Sequence, residues 1–162
     1  METEFDYATD AEASHTIPMQ AGHIRKGSYI MVRARPCRVL SVDTKAPGKH
    51  GHAKCHFVGQ DLFTSNKMEL IVPAGHNTPV PVVKKTDMLF MWCSKDGYIS
   101  CMDHVTCKTR SDLKMPLDVE LSSRIQRLSA EHGDEREVSI IVLAACGEEA
   151  VIDVKMGAPH VA

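Results

Sequence analysis

Short apolar runs in the first half of the chain follow the pattern of β-strands. They lie at Tyr29–Arg33, Cys37–Val42, His52–Gly59 and Met68–Val72, and Gly, Pro and Asn residues separate them. No helical periodicity lies between them. We therefore expect this half to form a small antiparallel barrel.

A proline-rich segment follows these strands. Residues 73–81 carry Pro73, Pro79 and Pro81, which disfavours a long strand in a sheet interior and predicts a semi-rigid connector. Strand patterns resume at Thr86–Cys93. They continue at Tyr98–Met102, after an Asp-Gly pair at 96–97 that predicts a tight hairpin turn. A second β domain is therefore expected.

One helix is predicted between Asp118 and His132. Its apolar side chains recur at helical spacing, and Gly133 follows as a stop; the apolar positions are Val119, Leu121, Ile125 and Leu128. Two more strands are predicted at Ser139–Ala145 and Ala150–Val154. About five strands with one late helix fit a Greek-key barrel of the oligonucleotide-binding (OB) type.

The patterns divide the chain into three parts, and charge follows the same division. Residues 1–20 are predicted to be a disordered acidic tail with 5 acids and no bases. The first β domain, 21–83, has 9 bases and 3 acids, whereas the second, 84–162, has 10 bases and 13 acids. The middle segment is thus the part best suited to meet an anion such as nucleic acid.

Composition indicates an ordinary soluble protein of the cytoplasm. The apolar fraction is 43% and the charged fraction 25%, and no stretch is long and apolar enough to span a membrane. Most of the six cysteines lie in apolar runs without Cys-x-x-Cys spacing, which indicates buried, reduced thiols rather than disulfides or a zinc site.

The segment from residue 45 to residue 54 contains almost nothing suited to a core. Its prolines and glycines shape an exposed turn between two strands, and cations and imidazoles surround the tip: Lys45, Pro47, Gly48, Lys49, His50, Gly51, His52 and Lys54. A basic finger of this kind suits a phosphate-lined cleft. The simplest alternative is a solvated basic hairpin with no special role.

Three chemical alternatives compete for this loop. A phosphate-binding loop needs Ser or Thr directly after its lysine and a helix after the loop. Here His50 follows Lys49 and a strand is predicted next, so this alternative is disfavoured. A metal site would use His50, His52, Cys55 and His56, but neighbouring strand residues point to opposite faces. A Cys55 nucleophile with a histidine base lacks an orienting acid nearby, and Cys55 is better read as core.

The run from Gly48 to Lys54, Gly-Lys-His-Gly-His-Ala-Lys, resembles the signature of the eukaryotic translation initiation factor 5A family. Further matching segments extend the resemblance over nearly the whole chain; they are Pro18-Met19-Gln20, Arg35-Pro36-Cys37, His76-Asn77, Asp96-Gly97-Tyr98 and Gly147-Glu148-Glu149-Ala150. The resemblance implies a mainly β chain with an N-terminal SH3-like barrel, a C-terminal OB fold with one inserted helix, and an acidic disordered tail.

The resemblance also implies a function. In this family the lysine matching Lys49 becomes hypusine: deoxyhypusine synthase transfers an aminobutyl group from spermidine, and deoxyhypusine hydroxylase then adds a hydroxyl. The chain would be the substrate, not an enzyme, and would hold no cofactor. The family factor binds the ribosome near the P and E sites, stabilises peptidyl-tRNA, and promotes peptide bond formation at stalling sequences such as polyproline, and also termination.

By the same resemblance, Lys45, Gly48, His50, Gly51, His52 and Lys54 would support recognition by the synthase and contact with RNA. The implied partners are the ribosome, peptidyl-tRNA, rRNA and the two modifying enzymes, with a homodimer left open. The alternative is a generic two-barrel RNA-binding protein acting without modification. Aromatic residues make up only 5% of the chain, and we expect no exposed aromatic platform to support that alternative.

Overall fold

The computed structural model describes residues 15–46 and 53–159. Within them the chain forms eleven strands, one α-helix and a short 3-10 helix at Ala21–His23. The elements in chain order are β1 (Thr16–Gln20), β2 (Tyr29–Val32), β3 (Arg35–Lys45), β4 (Lys54–Asp61), β5 (Lys67–Pro73), β6 (Asn77–Pro81), β7 (Lys84–Cys93), β8 (Tyr98–Asp103), β9 (Thr109–Lys114), α1 (Val119–His132), β10 (Arg136–Ala145) and β11 (Glu148–Pro159).

The chain divides into two compact units. The first contains the described residues up to Val82 together with Ala145–Gly147, and the second contains Val83–Ala144 and the described residues from Glu148 onward. Each unit has its own cluster of buried apolar side chains. The prediction of a mainly β chain built from two small β domains is confirmed.

The first unit is built on a four-stranded antiparallel sheet in the order β2-β3-β4-β5. Its strands alternate between buried and exposed positions; in β4 every second residue is buried from Cys55 to Asp61. The inward side chains form a core around Ile30, Cys37 and Phe57, each 0% exposed. This alternation is the pattern that the sequence showed, so these strands were predictable.

Two segments differ from the sequence prediction because they pair with each other. Thr16–Gln20 was expected to belong to a disordered tail, and residues 73–81 to be an unpaired connector, yet β1 and β6 form a two-stranded antiparallel sheet. A backbone hydrogen bond flanks each end of this sheet: Val82 N donates to His15 O, and Ala21 N donates to His76 O. Because hydrogen-bonded and non-hydrogen-bonded residue pairs alternate along an antiparallel ladder, these two bonds show which pairs of β1 and β6 residues are hydrogen-bonded.

This register explains how the prolines are tolerated. Pro18 lies opposite Pro79, and Pro81 lies opposite Thr16. Counting from the two terminal bonds, all three prolines occupy non-hydrogen-bonded positions, where no amide donor is needed. Because β1 is mostly exposed, its sequence carries no buried alternation, and a pattern-based reading misses it. Residues 1–14 of the predicted tail lie outside the described residues.

The second unit is a five-stranded antiparallel sheet in the order β11-β10-β7-β8-β9, with α1 between β9 and β10 in sequence. Its core includes Ile99, Ile125, Ile140 and Val154, each 0% exposed. The Asp-Gly turn was predicted correctly: Gly97 has φ 87°, a conformation that side chains other than glycine's rarely adopt. β9 was not predicted because only Leu113 on it is buried.

The helix begins and ends where the sequence indicated. The Asp118 carboxylate accepts hydrogen bonds from the amides of Glu120 at 2.9 Å and Leu121 at 3.4 Å, a standard N-cap. At the other end, a Cβ on Gly133 would lie 2.4 Å from Ser129 O, so the helix stop requires glycine. Val119 was expected on the apolar face but is 78% exposed, and Ile125 is the buried anchor.

No helix in the described part of the chain is long and apolar enough to cross a membrane.

Candidate functional site

The candidate site is the end of the β3–β4 hairpin. The two strands pair antiparallel from Cys37 opposite Asp61 to Lys45 opposite Lys54, which is the last pair before the loop. Both lysines are exposed. Directly opposed residues of an antiparallel pair share a face, so these two cations stand side by side where the chain leaves the sheet.

The structure thus describes two of the predicted site residues and not the others. Lys45 ends β3 and Lys54 begins β4. The predicted tip, which consists of Gly48, Lys49, His50, Gly51 and His52, lies outside the described residues. Ala53, the residue before β4, is held in place by a backbone hydrogen bond, in which Ala74 N donates to Ala53 O at 2.8 Å.

Two of the competing hypotheses for this loop depend on Cys55. Its side chain is 0% exposed within the core of the first unit, and its Sγ lies 3.7 Å from Thr44 Oγ1. Cys55 is therefore a core residue, as the sequence indicated, and is not available to attack a substrate. His56 follows on the outward face of β4, so the two side chains cannot serve one metal ion together.

Among residues 15–46 and 53–159, no group of three or more His, Cys, Asp or Glu side chains is arranged to hold a metal ion. His50 and His52 of the metal hypothesis lie outside that part of the chain.

The outer face of the hairpin base holds side chains that the sequence did not single out. Asp43, His56 and Ile71 are opposed in one row across β3, β4 and β5. They line a shallow cavity of about 450 Å³ with Lys45, Ala46 and Lys54. Ile71 is 63% exposed, and His56 Nε2 lies 3.6 Å from Glu69 Oε2. The register between three strands, not a sequence motif, brings this set together.

The opposite end of β4 is fixed by a buried carboxylate. Asp61 accepts from Arg35 Nε at 2.6 Å and from the Phe63 and Thr64 amides at 2.9 and 3.2 Å. The hydrogen bond from Arg35, followed by those amides, holds the pKa of Asp61 well below its usual range despite burial. Asp61 therefore ties β3, β4 and the β4–β5 turn together at the end of the hairpin that lies away from the loop.

Nearby, burial and then the charge of Asp61 raise the pKa of the Cys37 thiol to about 11. Cys37 is thus protonated at neutral pH and acts as an apolar core residue.

These observations define a class of protein: a small two-domain β protein whose first domain carries a basic hairpin loop and whose second has the strand and helix order of an OB fold. The family described as "Translation initiation factor 5A-like, N-terminal" matches residues 14–76. That described as "Eukaryotic elongation factor 5A hypusine, DNA-binding OB fold" matches residues 82–155.

Individual proteins resemble the chain over most of its length. Eukaryotic translation initiation factor 5A-1 of Arabidopsis thaliana is 46% identical over 144 residues, which is 89% of each chain. Factor 5A-2 of Medicago sativa is 44% identical over 154 residues, 95% of this chain and 94% of that one. A solved structure of a family protein from Naegleria fowleri has a TM-score of 0.73 at 37% identity, covering 87% of this chain and 99% of that one.

The chain therefore belongs to the eukaryotic translation initiation factor 5A family, as its sequence motifs indicated. The OB-fold prediction for the second domain is confirmed.

Proposed function

We propose that this chain is a ribosome-binding elongation and termination factor that acts through Lys49 after its conversion to hypusine. Family membership along both units supports the proposal. The local geometry supports it too, because β3 and β4 end in a paired set of exposed lysines from which the Lys49 loop must extend. In this proposal the chain works in the cytoplasm as a substrate of modifying enzymes and holds no cofactor.

The modification would proceed on the Lys49 amine. Deoxyhypusine synthase breaks a C–N bond of spermidine and forms a new C–N bond between the aminobutyl carbon and Nζ, which loses a proton as 1,3-diaminopropane leaves. Deoxyhypusine hydroxylase then inserts one oxygen atom, taken from dioxygen with a two-electron reductant, into a C–H bond of the added arm. Lys45, Gly48, His50, Gly51, His52 and Lys54 would guide the synthase to this lysine. Gly48 and Gly51 have no side chains that could block an enzyme's approach to the Lys49 amine.

The modified side chain would act by reach and position. It carries a second cation beyond the lysine nitrogen, which favours contact with the phosphates of peptidyl-tRNA and rRNA near the ribosomal P and E sites. Holding a sluggish peptidyl-tRNA in a productive orientation can raise the rate of peptide transfer without any protein group entering the chemistry. Stalling sequences such as polyproline would benefit most, and termination would benefit in the same way.

The test is a pair of substitutions in cells whose only copy of the factor is the variant. Lys49→Arg keeps the positive charge but cannot accept the aminobutyl group, so we expect loss of growth and stalling at polyproline codons, measured by ribosome profiling. Lys67→Arg, a matched change at an exposed lysine on β5, should behave as wild type.

Mass spectrometry of the Lys49 peptide from native cells gives the complementary readout. We expect a gain of one aminobutyl group plus one oxygen atom. Unmodified lysine together with normal growth of the Lys49→Arg strain would reject the hypusine mechanism and leave the generic RNA-binding alternative.

A further inference from the structure

The turn that leads into β2 carries a serine shortly after two exposed cations. The segment reads Arg25-Lys26-Gly27-Ser28, and Tyr29 follows as the first residue of β2. The first three of these residues are exposed, whereas Ser28 is half-buried. Neither cation forms an ion pair with any other residue that the structure describes. Both cations are therefore available to carboxylates of a partner.

This order of residues matches what Arg-directed protein kinases bind. Such a kinase uses carboxylates in its substrate cleft to hold cations three and two residues before the serine, so charge selects the substrate. It also favours an apolar side chain directly after the serine, and Tyr29 provides one. The segment therefore carries all three recognition features of a kinase substrate.

Comparison with other serines of the chain separates Ser28 from them. Three serines have an arginine three residues before them, namely Ser28, Ser41 and Ser139. Two residues before Ser41 stands Val39, and two before Ser139 stands Glu137, so neither has the second cation. Both also lie within paired strands, β3 and β10, and Ser139 is 3% exposed. Ser28 alone combines the two cations with a turn.

Four hydrogen bonds close this turn and decide how a kinase reaches the hydroxyl. Arg25 O accepts from Ser28 N at 3.1 Å and from Ser28 Oγ at 2.6 Å. Gly27 N donates to Val39 O, and Val39 N donates to Ser28 O, each at 2.8 Å. A kinase cleft holds its substrate segment extended, so the bonds between Arg25 and Ser28 must open first.

The opening of the turn involves few residues. Ile24 and Ile30, on either side of the segment, are 2% and 0% exposed and lie in the core of the first unit. The residues between them cover the positions that a kinase contacts. Gly27 has φ 88°, and a Cβ there would meet nothing within 4 Å, so this turn relies on the backbone freedom of glycine and not on packing. Such exposed turns open without global unfolding.

We propose that Ser28 is a phosphorylation site for an Arg-directed protein kinase, which binds Arg25 and Lys26 in an acidic cleft once the turn opens. The Ser28 oxygen forms a bond to the γ-phosphorus of a Mg²⁺-bound nucleoside triphosphate, the bond from that phosphorus to the bridging oxygen breaks, and the nucleoside diphosphate leaves. The hydroxyl proton passes to a carboxylate of the kinase. The proposal is independent of Lys49 and of its modification.

Phosphorylation changes both the charge and the hydrogen bonding of the turn. A phosphoserine carries about −1.5 to −2 charges at pH 7, which offsets the two positive charges of Arg25 and Lys26. The hydrogen bond from Ser28 Oγ to Arg25 O is lost with the hydroxyl proton. The first unit would therefore attract nucleic-acid phosphates less strongly, a consequence that rests on the proposed function.

The first experiment incubates the full chain with Mg²⁺, ATP and the catalytic subunit of the cyclic-AMP-dependent protein kinase, and peptide mass spectrometry locates the phosphate. We expect incorporation at Ser28 in the parent chain and its loss in Ser28→Ala. Ser41→Ala, which removes the hydroxyl of an exposed serine on β3, is the matched control and should behave as the parent. Unmodified Ser28 in the parent chain would overturn the proposal.

The two cations are tested by charge removal. Arg25→Gln and Lys26→Gln should each lower kcat/KM for phosphorylation roughly tenfold or more, the effect of losing a hydrogen bond between charged groups. Arg38→Gln removes another exposed arginine of the first unit and should stay within about twofold of the parent. Equal rates in all three variants would contradict recognition through the cations.

Gly27→Ala tests the opening of the turn. Alanine is strained at φ 88°, so the closed turn is weakened and phosphorylation should become roughly 5- to 30-fold faster. In a synthetic peptide of residues 22–32, which has no folded turn to open, the same change should have little effect. Gly75→Ala, at an exposed glycine with room for a Cβ, is the control in the full chain. A rate that falls in Gly27→Ala would show that the kinase needs the closed turn and would overturn the opening step.

Discussion

At the scale of single residues, the buried carboxylate of Asp61 has the largest effect on structure, because it links β3, β4 and the β4–β5 turn. Its side chain is 3% exposed and its oxygens accept from a guanidinium and two backbone amides. A buried carboxylate is stable only when its lone pairs are satisfied in this way. Sequence alone gave no reason to select Asp61 over the other acids, since Arg35 and Asp61 are 26 residues apart.

Replacing Asp61 by Asn removes the charge while keeping the shape, and we expect the free energy of unfolding of the first unit to fall by about 3 kcal/mol at neutral pH, because Arg35 loses its buried partner. Because the folded-state pKa is depressed, the stabilisation is full above the unfolded pKa of about 3.9 and disappears as pH falls toward the folded pKa. Urea denaturation at several pH values measures both effects.

Asp43→Asn, a change at an exposed carboxylate of β3, is the matched control and should alter stability by less than about 0.5 kcal/mol. A difference between wild type and Asp61→Asn that stays constant from pH 7 down to pH 2 would contradict the linkage argument.

At the scale of secondary-structure elements, Arg110 connects the two outer strands of the five-stranded sheet. It binds Asp112 on its own strand, β9, and both oxygens of Glu149 on β11, each at 2.9 Å. Hydrogen bonds from Arg110 are the leading cause of the lowered pKa of both Asp112 and Glu149. The guanidinium thus provides a side-chain link between strands that are not neighbours in the sheet order.

Arg110→Gln should lower the free energy of unfolding of the second unit by about 1–2 kcal/mol, because two bidentate, partly exposed ion pairs are lost. Amide hydrogen exchange should speed up most in β9 and β11. Arg110→Lys should recover little, since an ammonium cannot bind two carboxylates in fork geometry. Arg127→Gln on the exposed side of α1 is the control, and an equal loss there would mean that overall charge, not the strand link, matters.

At the scale of the whole molecule, the two units have separate cores. Ile30 lies in the first cluster and Ile140 in the second, and both are 0% exposed. Every member of each cluster belongs to one unit, so the loss of packing in one core removes contacts within that unit alone.

Ile30→Val and Ile140→Val form a matched pair for this question. Each should cost about 1 kcal/mol, through the loss of one buried methylene. We expect amide exchange to accelerate about fivefold in the unit that carries the change and to stay constant in the other. Equal acceleration in both units by either variant would show that they unfold as one cooperative body.

Most strands of the two β domains could be predicted, since burial on one face imposes a period of two on the sequence. β4 and β10 show this pattern clearly. β1 and β9 were missed because few of their side chains are buried, and each is defined by backbone pairing with a partner strand. The turn between β2 and β3 was also hard to predict. Arg33 and Ala34 adopt positive φ values of 49° and 64°, but the Asn-Gly pair that usually marks such a hairpin turn is absent.

The sequence by itself determined the two β domains, the helix with its caps, and the position of the motif centred on Lys49. The periodicity of apolar residues, the capping residues and the motif each involve residues that lie close together along the chain. Tertiary structure alone decided which distant groups meet. It paired Arg35 with Asp61, gathered Asp43, His56 and Ile71 into one row, and turned Trp92 outward beside Tyr98 through a single extra residue. These depend on strand register, where a shift of one residue reverses every side chain and leaves no local trace in the sequence.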